Sequence, residues 1–115
     1  MAVDIRIVTT TVEGGMAVEV QGTIDVFTSP RLKRSLTDLL DEGFYRIYLN
    51  LEGVRDVDSS GLGVLIGTLK RLREHEGRLV ICMGPLVRRV FSLTGLLRVF
   101  EICEPADYKT LVDGK

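Results

Sequence analysis

Six consecutive residues, Asp58, Ser59, Ser60, Gly61, Leu62 and Gly63, bring one carboxylate, two hydroxyls and two glycines together directly ahead of an amphipathic run. A Ser or Asp at such a junction ordinarily caps the helix by accepting hydrogen bonds from its first free N–H groups, worth about 1 kcal/mol. One cap uses one oxygen, and three oxygen-bearing side chains exceed what a turn needs. Glycine in the first turns of a helix costs roughly 1 kcal/mol relative to alanine, so two of them imply that something approaches the backbone closely there.

Four chemistries use parts of this arrangement. A phosphate-binding loop is the first, but Ile66 stands where a dinucleotide fingerprint has its third glycine. A P-loop needs Gly-Lys-Ser/Thr where this chain has Gly67-Thr68-Leu69. A nucleophile elbow with Ser59 as the attacking group is the second. Its G-x-S-x-G pattern fails at Val57, and the one histidine, His75, falls about 16 residues along the following helix, roughly 24 Å away. A small serine hydrolase is therefore a poor fit. The third, a phosphoacceptor receiver domain, requires an acidic pair after the first strand, where this chain has Thr9-Thr10-Thr11. The fourth makes a serine here the substrate of a kinase. A phosphate at a helix amino terminus meets free N–H groups and the positive end of the helix dipole, so the fold would tolerate it and the switch would act on a partner.

The surrounding elements must position this segment. Val3, Ile5 and Ile7, then Met16, Val18 and Val20, alternate as two strands joined by a turn at Glu13-Gly14-Gly15, an antiparallel hairpin. In "FTSPRLKRSLTDLLDEG" Ser29 is positioned to cap, Pro30 suits the first helical turn and Gly43 the exit, with Leu32, Leu36, Leu39 and Leu40 on one face. "RIYLNL" alternates as a strand and a short loop follows it. Leu62, Leu65, Ile66, Leu69 and Leu72 mark a helix from about Ser60 to Glu76, closed by Gly77. "RLVICM" suits a strand covered on both faces. A helix from Pro85 to Gly95, a short strand "RVFEI" and a last helix near Pro105 complete the chain. The order predicts one α/β domain over residues 1–115, with a mixed sheet, later strands parallel, and about four helices. Asp58 to Gly63 then fall at the carboxyl end of a strand, the edge where open α/β sheets usually bind ligands and partners.

Composition narrows the functional class. The 115 residues are 45% hydrophobic and 27% charged with a net charge of -1, which argues against a general nucleic-acid binder. Seven of the 15 basic residues fall between Lys70 and Arg98, which reads as solvated helix faces. Cys82 and Cys103 show no metal-ligand spacing and read as buried, reduced thiols; no metal or other cofactor is expected. No signal peptide precedes the first strand and no apolar stretch approaches the roughly 20 residues that span a bilayer, so the expected location is the cytoplasm.

The segments "LNLEGVRDVDSSGLGVLIGTLKRL", "GRLVICMGPLVRRVFSLTGLLRVF" and "VQGTIDVFTSPRLKRSL" together resemble the STAS domain family of anti-sigma factor antagonists over essentially the whole chain. The most specific part is Asp58 to Gly63, reinforced by Gly22-Thr23-Ile24-Asp25 and Thr94-Gly95-Leu96. The resemblance implies partner switching. In that scheme the protein would bind an anti-sigma factor that is also a serine/threonine kinase and displace the sigma factor. The kinase would then phosphorylate the serine after the Asp, which the resemblance maps to Ser59, and the phosphoprotein would let go until a metal-dependent serine phosphatase restores it. It implies that Asp25 lies near Ser59, and that Asp25, Asp58, Ser60, Gly61, Leu62 and Gly63 form the partner-binding surface, with no catalytic residue, no nucleic acid and no membrane involved. Ser60 and Asp58 are expected to satisfy the helix entrance, and the glycines to let the partner's backbone come close. A stand-alone STAS adaptor in a transporter or signalling complex is the alternative within the family.

Overall fold

The hairpin opens the structure, a computed structural model that describes residues 5–114. Strand β1 (Ile5–Val12) and strand β2 (Gly15–Ile24) pair antiparallel from Ile5 opposite Gly22 to Val12 opposite Gly15. Val3, expected in the first strand, lies outside the described residues. Thr9 to Thr11 do not follow the strand but continue it, because β-branched threonine suits an exposed edge strand as well as a turn. Helix α1 (Ser29–Asp41) leads to strand β3 (Arg46–Val57), helix α2 (Ser59–Glu74) to strand β4 (Arg78–Met83), and helix α3 (Pro85–Leu93) to strand β5 (Glu101–Cys103). Helix α4 (Pro105–Asp113) ends the described chain. The sheet order follows the sequence, β1-β2-β3-β4-β5, and every pair after the hairpin is parallel.

One sheet face carries the main core. Val18, Val20, Leu49, Leu51 and Ile81 pack there against Leu32 and Leu36 of α1, Leu65 and Leu72 of α2, and Val87 and Phe91 of α3. The opposite face holds a smaller cluster of Tyr48, Val80, Cys82 and Tyr108, brought in by α4, whose Tyr108 hydroxyl donates to the Tyr48 carbonyl at 2.8 Å. Strand β4 is accordingly covered on both sides. Burial pushes the Cys82 thiol up to about 12. Cys103, its neighbour across the β4–β5 ladder, is only half-buried, because β5 is a three-residue edge strand.

Several boundaries differ from the sequence expectation, among them the end of α3, which stops at Leu93 and not Gly95. The loop expected after "RIYLNL" is strand: β3 runs on to Val57, and two register shifts against β2 each insert an extra residue. Those bulges replace period two with period three, burying Leu51, Val54 and Val57, and so erase the alternation that marks a strand. "RVFEI" is strand only from Glu101, where β5 begins, and its Arg98 closes a single 3-10 turn (Leu96–Arg98). Helix α2 starts one residue earlier and ends two residues earlier than expected, at Ser59 and Glu74, and its left-handed exit residue is Glu76, not Gly77.

The two helix exits compare directly. Both α1 and α2 end in the same double hydrogen bond: Gly43 N–H to Leu40 C=O and Phe44 N–H to Leu39 C=O in the first, Glu76 N–H to Arg73 C=O and Gly77 N–H to Leu72 C=O in the second. The left-handed residue is Gly43 (φ 90°) in α1 but Glu76 (φ 54°) in α2. Gly77 is required for another reason, since a Cβ there would run into the Tyr45 carbonyl. Removing the Cβ strain at the second exit should stabilise the protein: Glu76→Gly is expected to raise unfolding free energy by roughly 1 kcal/mol, and Gly43→Glu to lower it by at least as much, in urea denaturation.

Candidate functional site

The carboxyl edge of β2 and β3 is held in register to its last residues. Ile24 pairs with Val57, and the Asp58 N–H donates to the Ile24 carbonyl at 3.0 Å. Asp25 and Asp58 are the next residues after the two strands, so two acidic residues leave neighbouring strand ends of the sheet.

Each carboxylate organises the turn that follows it. Asp25 Oδ1 accepts from the N–H groups of Phe27 (2.8 Å) and Thr28 (3.0 Å). The Thr28 hydroxyl donates to the Thr23 carbonyl (2.7 Å) and accepts from the Asp25 N–H (2.9 Å). Thr28 therefore occupies the N-cap position of α1 with its side chain committed to the loop. Ser29, expected to cap, is instead the buried first residue of the helix, and its N–H donates to the Asp25 carbonyl at 2.8 Å.

At the second turn Asp58 is the cap. Its Oδ1 accepts from the N–H groups of Ser60 (2.8 Å) and Gly61 (3.3 Å). Ser60, half-buried, takes no part in capping through its hydroxyl, so one side chain satisfies the helix entrance where two were expected to share it. Ser59 is the first helical residue and is exposed; among the described residues no hydrogen bond engages its hydroxyl. The N–H groups of Ser60 and Gly61 that a phosphate was expected to meet are already occupied by Asp58.

The two glycines have different reasons. Gly61 is buried, and a Cβ there would lie 2.5 Å from Ile24 Cγ2 and 2.7 Å from Val57 Cγ2. This residue lets α2 rest on the ends of both strands. Gly63 is exposed with nothing within 4 Å of the corresponding position. Leu62, between them, is buried in the core at 8% exposure. Of the residues assigned to the partner surface, Asp25, Asp58, Ser60 and Gly63 thus reach solvent around Ser59, while Gly61 and Leu62 hold the turn from beneath.

Sequence reasoning missed Val26 and Phe27, which are 59% and 81% exposed on the loop pinned by Asp25. The available signal was an apolar pair outside any periodicity, between a turn-forming Asp and the Pro30 helix start. Aromatic side chains are enriched among the residues that anchor protein interfaces. His75 lies at the far end of α2, stacked on Tyr45 with ring centroids 4.1 Å apart. It cannot serve Ser59 as a base.

The STAS domain model matches residues 6–107. An anti-sigma-B factor antagonist of Staphylococcus aureus is 38% identical over 102 residues, covering 88% of this chain and 94% of that protein. Its counterpart in Staphylococcus epidermidis is 34% identical over the same lengths. Among solved structures, an anti-sigma factor antagonist from Mycobacterium paratuberculosis aligns with a TM-score of 0.83 at 28% identity, covering 96% of this chain and 95% of that one.

The contrast between the glycines is open to measurement. Gly61→Ala is expected to destabilise the fold by about 1–3 kcal/mol through overpacking against Ile24 and Val57. Gly63→Ala is expected to stabilise it by roughly 0.5–1 kcal/mol through helix propensity, both read from denaturant midpoints.

Proposed function

The chain belongs to the STAS domain family, and on that premise we propose that it is an anti-sigma factor antagonist controlled by phosphorylation of Ser59. The unmodified protein binds an anti-sigma factor that is also a serine/threonine kinase, and the sigma factor is freed. The kinase transfers the γ-phosphoryl group of ATP to Ser59 Oγ; the hydroxyl proton passes to a base on the kinase, ADP is the leaving product, and the phosphoprotein dissociates. A metal-dependent serine phosphatase returns it to the binding form by hydrolysis. The antagonist catalyses nothing itself, touches no nucleic acid directly and works in the cytoplasm. Among the described residues no helix is long and apolar enough to cross a membrane.

The observation that carries this reading is the state of Ser59: exposed, its hydroxyl unengaged, on the first turn of a rigid helix whose cap is a neighbouring carboxylate. Such a hydroxyl can enter a kinase active site without any part of the fold opening. Once modified, it adds about 1.5 to 2 negative charges. Asp58 and Asp25 already concentrate negative charge at that point, and Asp58 holds the N–H groups that would otherwise offset it. Like charges brought together in an interface cost several kcal/mol, enough to weaken binding a hundredfold or more. The relatives' names support the partner class; the geometry supports the release mechanism.

Titration calorimetry with the purified anti-sigma kinase encoded by the same genome tests the reading. Ser59→Ala should bind within a few fold of the wild type but persist as a complex when ATP is added, whereas Ser59→Asp should bind at least tenfold more weakly. Equal affinities for the two variants contradict the mechanism. Phe27→Ala should lose tenfold or more in affinity with no loss of stability, as expected of an exposed anchor.

A further inference from the structure

A cavity of about 660 Å³ runs between α1 and α2, lined by Lys33, Thr37 and Leu40 on one side and by Gly63, Val64, Gly67 and Lys70 among others on the other. Its floor is apolar at Leu40 and Val64. The charged residues of its wall are Lys33, Lys70 and Arg71, with no carboxylate among them. Arg71 is bound to Asp41 at 3.0 Å, an ion pair joining α1 and α2 near the end remote from Ser59. The other end reaches Ser60, adjacent to the proposed phosphorylation site. From Ser60 to Lys70 the helix rises about 15 Å, close to three turns.

The groove owes its depth to glycine. Gly63 and Gly67 are one helical turn apart, and neither has any atom within 4 Å of where a Cβ would stand. Neither glycine is demanded by packing within this chain, and both lower helix propensity. They differ in this from Gly61 and Gly77, whose neighbours admit no side chain.

We propose that this groove receives an acidic amphipathic helix of the same anti-sigma factor, laid along α2 beyond Ser59. The inference rests on the functional reading above and extends its interface by two further turns of helix. Charge complementarity selects the occupant, since the lining carries cations of one sign over an apolar floor. A peptide fits better than a small molecule. Lys33 and Lys70 are spread along the groove instead of converging on one point. The polar side chain buried deepest in the lining, Thr68, already donates its hydroxyl to the Val64 carbonyl at 2.8 Å. Apolar residues of the incoming helix would lie over Leu40 and Val64, its backbone close to Gly63 and Gly67, and its carboxylates beside Lys33 and Lys70.

Gly67→Leu fills the groove without touching the fold, and thermal denaturation should show an unchanged or higher Tm. Calorimetry with the purified anti-sigma kinase should show affinity for Gly67→Leu reduced tenfold or more. The double reversal Lys33→Glu/Lys70→Glu should lose at least as much, and wild-type affinity should fall as salt is raised. If Gly67→Leu binds as the wild type does while Ser59→Asp is still lost, the groove proposal is overturned and the functional reading stands. If neither substitution changes binding, both fall. A full effect of Gly67→Leu with no effect of the charge reversal overturns the acidic character of the occupant.

Discussion

The parallel pairing of β2 with β3 through their final residues is the constraint on which the site depends. Ile24 opposite Val57, and the Asp58 N–H on the Ile24 carbonyl, leave no slack between the two strand ends. Asp25 and Asp58 follow at once, each closing its own turn by accepting backbone N–H groups. Gly61 completes the junction, because only a residue without a Cβ lets α2 sit on Ile24 and Val57. Sequence neighbours and spatial neighbours are thereby fused into one rigid edge. Ser59 rides on it as the first helical residue, exposed and otherwise idle.

That rigidity separates the chemistry of Ser59 from the stability of the fold. A capping carboxylate contributes about 1 kcal/mol at the surface, and its hydrogen bonds do not involve the serine hydroxyl. On the proposed reading, charge added to Ser59 would change what an incoming protein meets without engaging the core below, built on Leu65, Leu72, Val18 and Val20. A hydroxyl engaged in the cap would behave differently: modifying it would fray the helix, and binding and folding would change together. The division of labour between Asp58 and Ser59 is what the proposed outward-acting switch requires.

Much of this was legible in the amino-acid order. Alternation gave the hairpin, leucine spacing gave α1 and α2, and the Asp-Ser-Ser-Gly-Leu-Gly segment was recognisable as a strand-to-helix junction with a surplus of oxygen. What escaped was set by contacts between elements. The bulges in β3 hid half a strand, because an extra residue shifts every side chain after it to the other face. Ser29 stands at a cap-like place in the sequence, but Thr28 and Asp25 close the loop themselves and leave it inside the helix. The separate reasons for Gly61 and Gly63 could not be read from their identity, since one faces Ile24 and the other faces solvent. Phe27 stood outside every periodicity, and exposure of that kind is decided by tertiary structure alone.

The account is tested most directly by preparing the protein with phosphoserine at position 59 and comparing it with the unmodified form in two measurements. Affinity for the purified anti-sigma kinase should fall a hundredfold or more, while amide NMR shifts move only around Asp25 and the first turn of α2 and the Tm stays within a few degrees. Equal affinity of the two forms, or a loss of affinity accompanied by shift changes across the whole sheet, would contradict a switch that works by charge on an unchanged scaffold.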